Sequence, residues 1–292
     1  MSIVAAGRAA NTREQKYVVF RALHERAGNF VIPNPWDAGS ARILTALGFE
    51  ALATTSAGYA FSAGRVDSFR ELTREGLLAN AKAIVEATHL PVSADMQNGF
   101  GRAPEACAEM VRLAAGVGLA GGSIEDASED PKAPIYEFKL AVERIAAAAE
   151  EARACHFMLT ARAENFLHGR PDLDDTVRRL QAFAEAGADL LYAPGLPNLD
   201  AIRRVCASVA PKPVNVLMGR SADTYSLEEL AAAGAKRISV GGTFARVALG
   251  AFLRAAREVK EKGTFTFAAD TISHAEVSAF MAPPAPAKGT RE

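Results

Sequence analysis

The run Pro91-Val92-Ser93-Ala94-Asp95-Met96-Gln97-Asn98-Gly99-Phe100-Gly101 has a short strand-like segment that ends on a carboxylate and then a polar, glycine-flanked turn. One strand-helix unit later, Gly121-Gly122-Ser123-Ile124-Glu125-Asp126 repeats the pattern. Two consecutive parallel strands that finish on acids at the same end of a sheet make a hard-oxygen cation site. Such donors suit Mg²⁺ or Mn²⁺, which take few protein ligands and keep several waters. Arg162 ends a later strand, and its planar guanidinium is a natural clamp for a substrate carboxylate. A purely structural reading also exists: Asp95 could cap the turn that follows it, and Glu125 could pair with Arg162.

The elements that must position these groups alternate along the chain. A helix over 11–27, with Thr12 as N-cap, precedes a strand at 30–33 and the turn Asn34-Pro35-Trp36-Asp37. Helices are expected over 38–47, from Ser68 or Thr73 to 88, from Pro104 to 116–118, over 137–154, from Asp172 or Asp174 to 186, and over 199–209, 226–233 and 243–262. Strands are expected at 51–55, 90–95, 122–125, 157–162, 189–193, 213–216 and 237–240, and residues 56–67 read as a long loop. Eight strands with helices between them imply a parallel sheet, and the fold class read from this is α/β, a (β/α)8 TIM barrel. The turn after the first strand has no glycine-rich fingerprint, which argues against an open doubly wound sheet. The expected organisation is an N-terminal helix (1–28), the barrel (29–262) and a C-terminal extension (263–292) ending in a disordered tail. The apolar stretch from Phe265 to Met281 has no place inside a closed barrel and is expected to pack on a neighbouring subunit.

In such barrels the site lies at the C-terminal ends of the strands. Those ends carry Trp36, Ser56 with Gly58, Asp95, Glu125, Arg162, Tyr192, Asn215 and Gly241-Gly242. Two acids, an arginine and an asparagine on one rim point to a small anionic ligand held through a divalent cation. Trp36 could equally be a packing aromatic, and Gly241-Gly242-Thr243 could be a phosphate-binding helix start or only a tight turn. Tyr136 and His168 are the other polar groups within loop reach. No lysine sits on a strand facing the barrel mouth, and no cysteine at the rim, so Schiff-base and thiol chemistry are disfavoured.

Composition narrows the class further. In 292 residues, 33 basic side chains balance 34 acidic ones for a net charge of −1, so charge gives no case for nucleic acid or a membrane surface. Three widely spaced cysteines read as reduced thiols of a cytoplasmic protein.

On these residues the chain resembles the isocitrate lyase/phosphoenolpyruvate mutase superfamily. The resemblance runs from Phe30 to Val259. It rests on Thr55-Ser56-Ala57-Gly58 with Asp67, on Val92-Ser93-Ala94-Asp95 with Asn98-Gly99-Phe100-Gly101, and on Gly122-Ser123-Ile124-Glu125-Asp126 with Pro131-Lys132. Ala161-Arg162, Glu185-Ala186-Gly187-Ala188-Asp189 and Arg237-Ile238-Ser239-Val240-Gly241 complete it. It implies a Mg²⁺-dependent enzyme acting on α-keto acids through an enolate-like intermediate. It implies that Asp95 lies nearest the metal, that Glu125 and Asp67 hold its water shell, and that Ser56, Ala57 and Gly58 contact the ligand that Arg162 clamps. Trp36 and Asn215 join that substrate set from the rim, and Arg162 and Asp67 form the catalytic set. A homotetramer, built from dimers that exchange the last barrel helix, is also implied.

The sequence departs from the family in three places. Gln97 stands where a second acid is usual; it stays in the metal set with one charge fewer. The lyases' Lys-Lys-Cys-Gly-His loop is replaced by Pro131-Lys132-Ala133-Pro134-Ile135-Tyr136, and the mutases' histidine after strand six by Ala193-Pro194-Gly195. The expected function is therefore a lyase, decarboxylase or hydrolase that breaks a C–C (or C–P) bond of a small α-keto acid. The alternatives are phosphonomutase-type chemistry and a non-catalytic keto-acid-binding barrel.

Overall fold

A capping box starts the chain's first helix, α1 (Arg13–Glu25): the Thr12 hydroxyl accepts the Gln15 N–H and the Gln15 side chain accepts the Thr12 N–H. The computed structural model describes residues 12–219 and 225–282. Phe20 and Leu23 of α1 pack on Phe30, Ala51, Ala120 and Met158, which begin or precede four of the strands, so α1 plugs the N-terminal end of the sheet. The helix stops at Glu25, short of the expected Gly28.

Eight parallel strands follow: β1 (Phe30–Ile32), β2 (Leu52–Ala53), β3 (Val92–Asp95), β4 (Gly121–Glu125), β5 (Met158–Arg162), β6 (Leu190–Tyr192), β7 (Val214–Leu217) and β8 (Arg237–Ser239). They pair in the order β1-β8-β7-β6-β5-β4-β3-β2. The Ala53 N–H donates to the Pro33 carbonyl at 3.0 Å across the remaining seam, closing a (β/α)8 barrel. Asn34 reinforces that seam: its amide donates to the Thr54 carbonyl (3.0 Å) and its oxygen accepts the N–H groups of Val240 and Gly241 (both 2.9 Å).

The outer ring is α2 (Ala38–Ala46), α3 (Ser56–Ser62), α4 (Arg74–Ala87), α5 (Pro104–Gly116), α6 (Phe138–Ala154), α7 (Leu173–Glu185), α8 (Leu199–Ser208), α9 (Leu227–Ala232) and α10 (Thr243–Lys262). Two helices, not one, separate β2 from β3, which corrects the expected loop over 56–67. The Thr55 hydroxyl accepts the Gly58 N–H and starts α3 directly at the strand end.

The C-terminal segment also differs from expectation. After a 3₁₀ turn at Thr266–Asp270, α11 (His274–Met281) lies on α2 of its own chain, with Arg42 donating to the Met281 carbonyl at 2.6 Å. The expected disordered tail from Pro283 lies outside the described residues. Ala245 is the one buried residue of α10, whose Val247, Phe252 and Leu253 are exposed. Among the described residues no helix is long and apolar enough to cross a membrane.

Candidate active site

Register brings the rim together. Glu125 stands opposite Arg162 in the β4–β5 ladder, Arg162 opposite Tyr192 in β5–β6, and Asn215 opposite Arg237 in β7–β8. Of these, Arg162, Tyr192, Asn215 and Arg237 line one space within the barrel, and Glu125 does not. A cavity of ≈160 Å³ lies there, lined by Ser56, Ala57, Asp67, Asp95, Arg162, Tyr192, Asn215 and Arg237 among others.

Asp95 is held by its own neighbours. The Ser56 hydroxyl donates to Oδ2 at 2.8 Å, the Ser56 N–H to the same oxygen at 3.2 Å, and the Gln97 N–H to Oδ1 at 3.3 Å. The turn-capping reading of Asp95 is thus correct as far as the Gln97 N–H goes, and it leaves the carboxylate on the cavity wall. Arg162 lies 3.1 Å from Glu125 and 3.6 Å from Asp95, and its Nε bonds Glu164. Its guanidinium also stacks on Tyr192, 5.1 Å from the ring centroid. Arg162 is therefore a cation fixed by three carboxylates, with one edge toward the cavity, rather than a free clamp.

Burial sets the ionisation here. It pushes the Glu125 carboxyl well above the carboxylate range; Arg162 opposes the shift, and Glu164, Asp95 and Asp126 add to it. Burial works against the charge of Arg162, but Glu125, Glu164, Tyr192 and Asp95 outweigh it and raise its pKa further. Asp67 is raised by burial and by repulsion from Asp95, with Ser56 and Arg162 opposing. Asp126, which accepts the Glu164 N–H (2.8 Å) and a bond from Arg179 (3.0 Å), is pushed to about 6 by burial. It faces away from the cavity and anchors the loop that carries Glu164.

The remaining expected residues are placed as follows. Gly58 lies behind the cavity wall: a Cβ there would sit 2.6 Å from Thr55 Cγ2 and 2.8 Å from Trp36 Cβ. Trp36 likewise packs behind the wall, its carbonyl accepting from Asn80 at 2.9 Å. Gln97 is buried under the site in a left-handed conformation (φ 48°). Its carbonyl accepts the Glu125 N–H, and its side-chain oxygen has no partner among the described residues. His168 stands beyond Glu164, 3.6 Å from it. Tyr136 is covered by Arg144, 4.3 Å from its ring centroid, and does not line the cavity. Gly241 and Gly242 do line it, although the Gly241 N–H is already taken by Asn34.

Two residues escaped the sequence reading. Glu164 orients Arg162, and Arg237 enters the cavity from the first position of β8. For Arg237 the available signal is alternation, since Arg237 and Ser239 occupy the same face of β8. Glu164 lies two residues beyond the end of β5, and no strand pattern marks it.

A divalent cation fits the residues present. Asp67 and Asp95 share one cavity wall with the Ser56 hydroxyl, an all-oxygen set, and their mutual repulsion is what a cation between them would relieve. Among the described residues no three His, Cys, Asp or Glu side chains converge as a ligand cluster. A site with few protein ligands is the one that suits Mg²⁺, which is held largely through its waters.

Comparison with known proteins places this arrangement. The sequence family described as Phosphoenolpyruvate phosphomutase matches residues 20–260. A crystal structure from Burkholderia cenocepacia J2315, provisionally named a lyase/mutase, is similar at 54% identity and a TM-score of 0.90, covering 93% of this chain and 97% of that one. An uncharacterised Mycobacterium tuberculosis H37Rv protein is 32% identical over 243 residues, 83% of this chain and 89% of that protein. The 2,3-dimethylmalate lyase of Eubacterium barkeri is 30% identical over 181 residues, 60% of this chain and 62% of that enzyme.

Proposed function

The chain belongs to the phosphoenolpyruvate phosphomutase family, within the isocitrate lyase/phosphoenolpyruvate mutase superfamily of lyases and mutases, and from that premise we propose a divalent-cation-dependent enzyme that cleaves the C–C bond next to the carbonyl of a small α-keto acid. The observation that carries the proposal is the single cavity wall that presents Asp67, Asp95 and Ser56 beside the fixed cation Arg162.

Asp95 and Asp67 would hold Mg²⁺ (or Mn²⁺), with Ser56 fixing the rotamer of Asp95. The bound cation would supply Lewis-acid stabilisation to charge that grows on the keto oxygen as the adjacent bond breaks. Arg162, held by Glu125 and Glu164, meets the substrate carboxylate without having to reorganise, which is the condition for a fixed charge to lower a barrier. Glu125 is thus a positioning residue that acts through Arg162. The cavity limits the substrate: a protein cavity of roughly 150 Å³ holds benzene, so ≈160 Å³ suits a keto acid of a few carbons.

Among the described residues no cysteine or histidine lines the cavity, and the loop at 131–136 carries neither. This favours decarboxylation or hydrolytic cleavage over a reaction that needs a thiol to protonate its product. It also weighs against phosphonate chemistry, for which the histidine after strand six is missing.

The test is turnover of a keto-acid panel with and without Mg²⁺, together with melting in Mg²⁺, oxalate and both. A saturating ligand at a hundred times its Kd stabilises by ~2.7 kcal/mol, and the pair should exceed either ligand alone. Asp95→Ala should lose that cooperative shift and lower turnover at least roughly 100-fold. Unchanged turnover in this variant would overturn the assignment.

The proposal extends to assembly. The exposed apolar face of α10 is assigned to a second copy of the chain, in a dimer or tetramer that exchanges this helix.

A further inference from the structure

Arg237 starts β8 and is 5% exposed, yet its side chain lines the cavity from within the barrel. Its Nε donates to Asn215 Oδ1 at 2.8 Å and an Nη to Thr160 Oγ1 at 3.2 Å; both acceptors are neutral. Asn215 is in turn fixed by donating to Ser239 Oγ at 3.0 Å. No carboxylate pairs with this guanidinium among the described residues. Burial lowers its pKa to about 9, with Tyr192 opposing the shift.

A buried cation without a counter-charge is costly and is ordinarily paired. Arg162 meets that rule with three carboxylates. Arg237 does not, and the space it borders is the substrate cavity. Asp95 ends β3 whereas Arg237 begins β8, so the two stand at different depths of the one cavity, whose wall also includes Tyr192. The cavity thus has a cation-binding end at Asp67 and Asp95 and a second, purely cationic end at Arg237.

We infer that Arg237, oriented by Asn215 and Thr160, is an inner carboxylate subsite, and that the substrate is therefore an α-keto acid bearing a second carboxylate. This rests on the proposed function, which supplies the first carboxylate and the carbonyl at the outer end. A planar guanidinium with an unused edge matches a planar carboxylate. A space of ≈160 Å³ limits the acid to roughly four carbons between its two ends. Oxaloacetate-like acids fit and pyruvate leaves Arg237 uncompensated.

The test is calorimetric titration of the full chain in Mg²⁺ with three ligands: oxalate, too short to leave the outer end; pyruvate, with one carboxylate; and 3,3-difluorooxaloacetate, with two. The dicarboxylate should bind wild type roughly 100-fold more tightly than pyruvate, the contribution of a desolvated charge-assisted pair. Arg237→Gln and Arg237→Met should erase that preference and leave oxalate affinity within about threefold, whereas a strut linking β5, β7 and β8 would move only the melting temperature. Equal dicarboxylate affinity in variant and wild type overturns the subsite. If the variants do not fold, the wild-type preference decides, and its absence also overturns it. Oxalate binding without a dicarboxylate preference removes the subsite alone, while failure of oxalate to bind removes the underlying function as well.

Discussion

Ser56 donates both its hydroxyl (2.8 Å) and its backbone N–H (3.2 Å) to one oxygen of Asp95, tying the first residue of α3 to the last residue of β3. The link exists because Thr55 starts a helix at the end of β2, which turns the Ser56 backbone toward the neighbouring strand. Asp95 is left with one oxygen committed to Ser56 and the other beside Arg162 and the Gln97 N–H.

Ser56→Ala should therefore act on the orientation of Asp95. A hydrogen bond to a charged group contributes about 1.5–3 kcal/mol. The expected outcome is a modest fall in melting temperature, a roughly 10–100-fold loss in metal affinity, and recovery of most of both in Ser56→Thr. Calorimetric Mg²⁺ titration measures the affinity. A metal affinity equal to wild type in Ser56→Ala would show that Asp95 needs no help from α3.

His24 predicts a pH dependence unrelated to catalysis. It is buried between Phe20 and Phe30, edge-on to both rings, with Nδ1 at 2.8 Å from the Phe20 carbonyl and Nε2 unpaired among the described residues. Burial, with Arg237 adding to it, lowers its pKa from 6.5 to about 3. The unfolded chain then takes up the proton first. The stabilising contribution is complete above pH 6.5 and is lost as pH falls through the folded value near 3. At roughly 1.4 kcal/mol per unit this amounts to several kcal/mol. Asp126 has the opposite sign: raised from 3.8 to about 6, it loses stability as pH rises across that interval. Denaturant melts from pH 7 to 4 should show a shallower acid loss for His24→Phe than for wild type. Parallel curves would refute the assignment to His24.

The α10 face predicts the assembly. Phe252 is 70% exposed on a helix that packs on α3 through its first turns and leaves the rest uncovered. Wild type should elute as a dimer or tetramer in size-exclusion chromatography with light scattering, and Phe252→Glu should shift it toward the monomer. A monomeric wild type at micromolar concentration would rule the exchange out.

The barrel is legible in the sequence because strand-helix alternation is a local property. Short β-branched and apolar runs, helix caps such as Thr12 and Ser226, and acids at the strand ends are all written within a few residues of one another. The rim positions of Asp95, Glu125 and Arg162 followed from that count alone. Thr55 belongs by its type to a strand-like run, yet its hydroxyl caps α3, and the contact between Ser56 and Asp95 depends on that cap.

Charge pairing was not readable, because it depends on register between strands far apart in the chain. Glu125 faces Arg162 through the β4–β5 ladder, and Arg237 reaches Asn215 and Thr160 only once β8 lies beside β7 and the barrel closes. Desolvation is likewise a sum over the whole fold, so no spacing in the sequence marks Glu125 as raised or Arg237 as lowered. The sequence by itself determined the barrel and the end of it that carries the acids. Only the tertiary structure decided which of those charges cancel one another and which remain to meet a ligand.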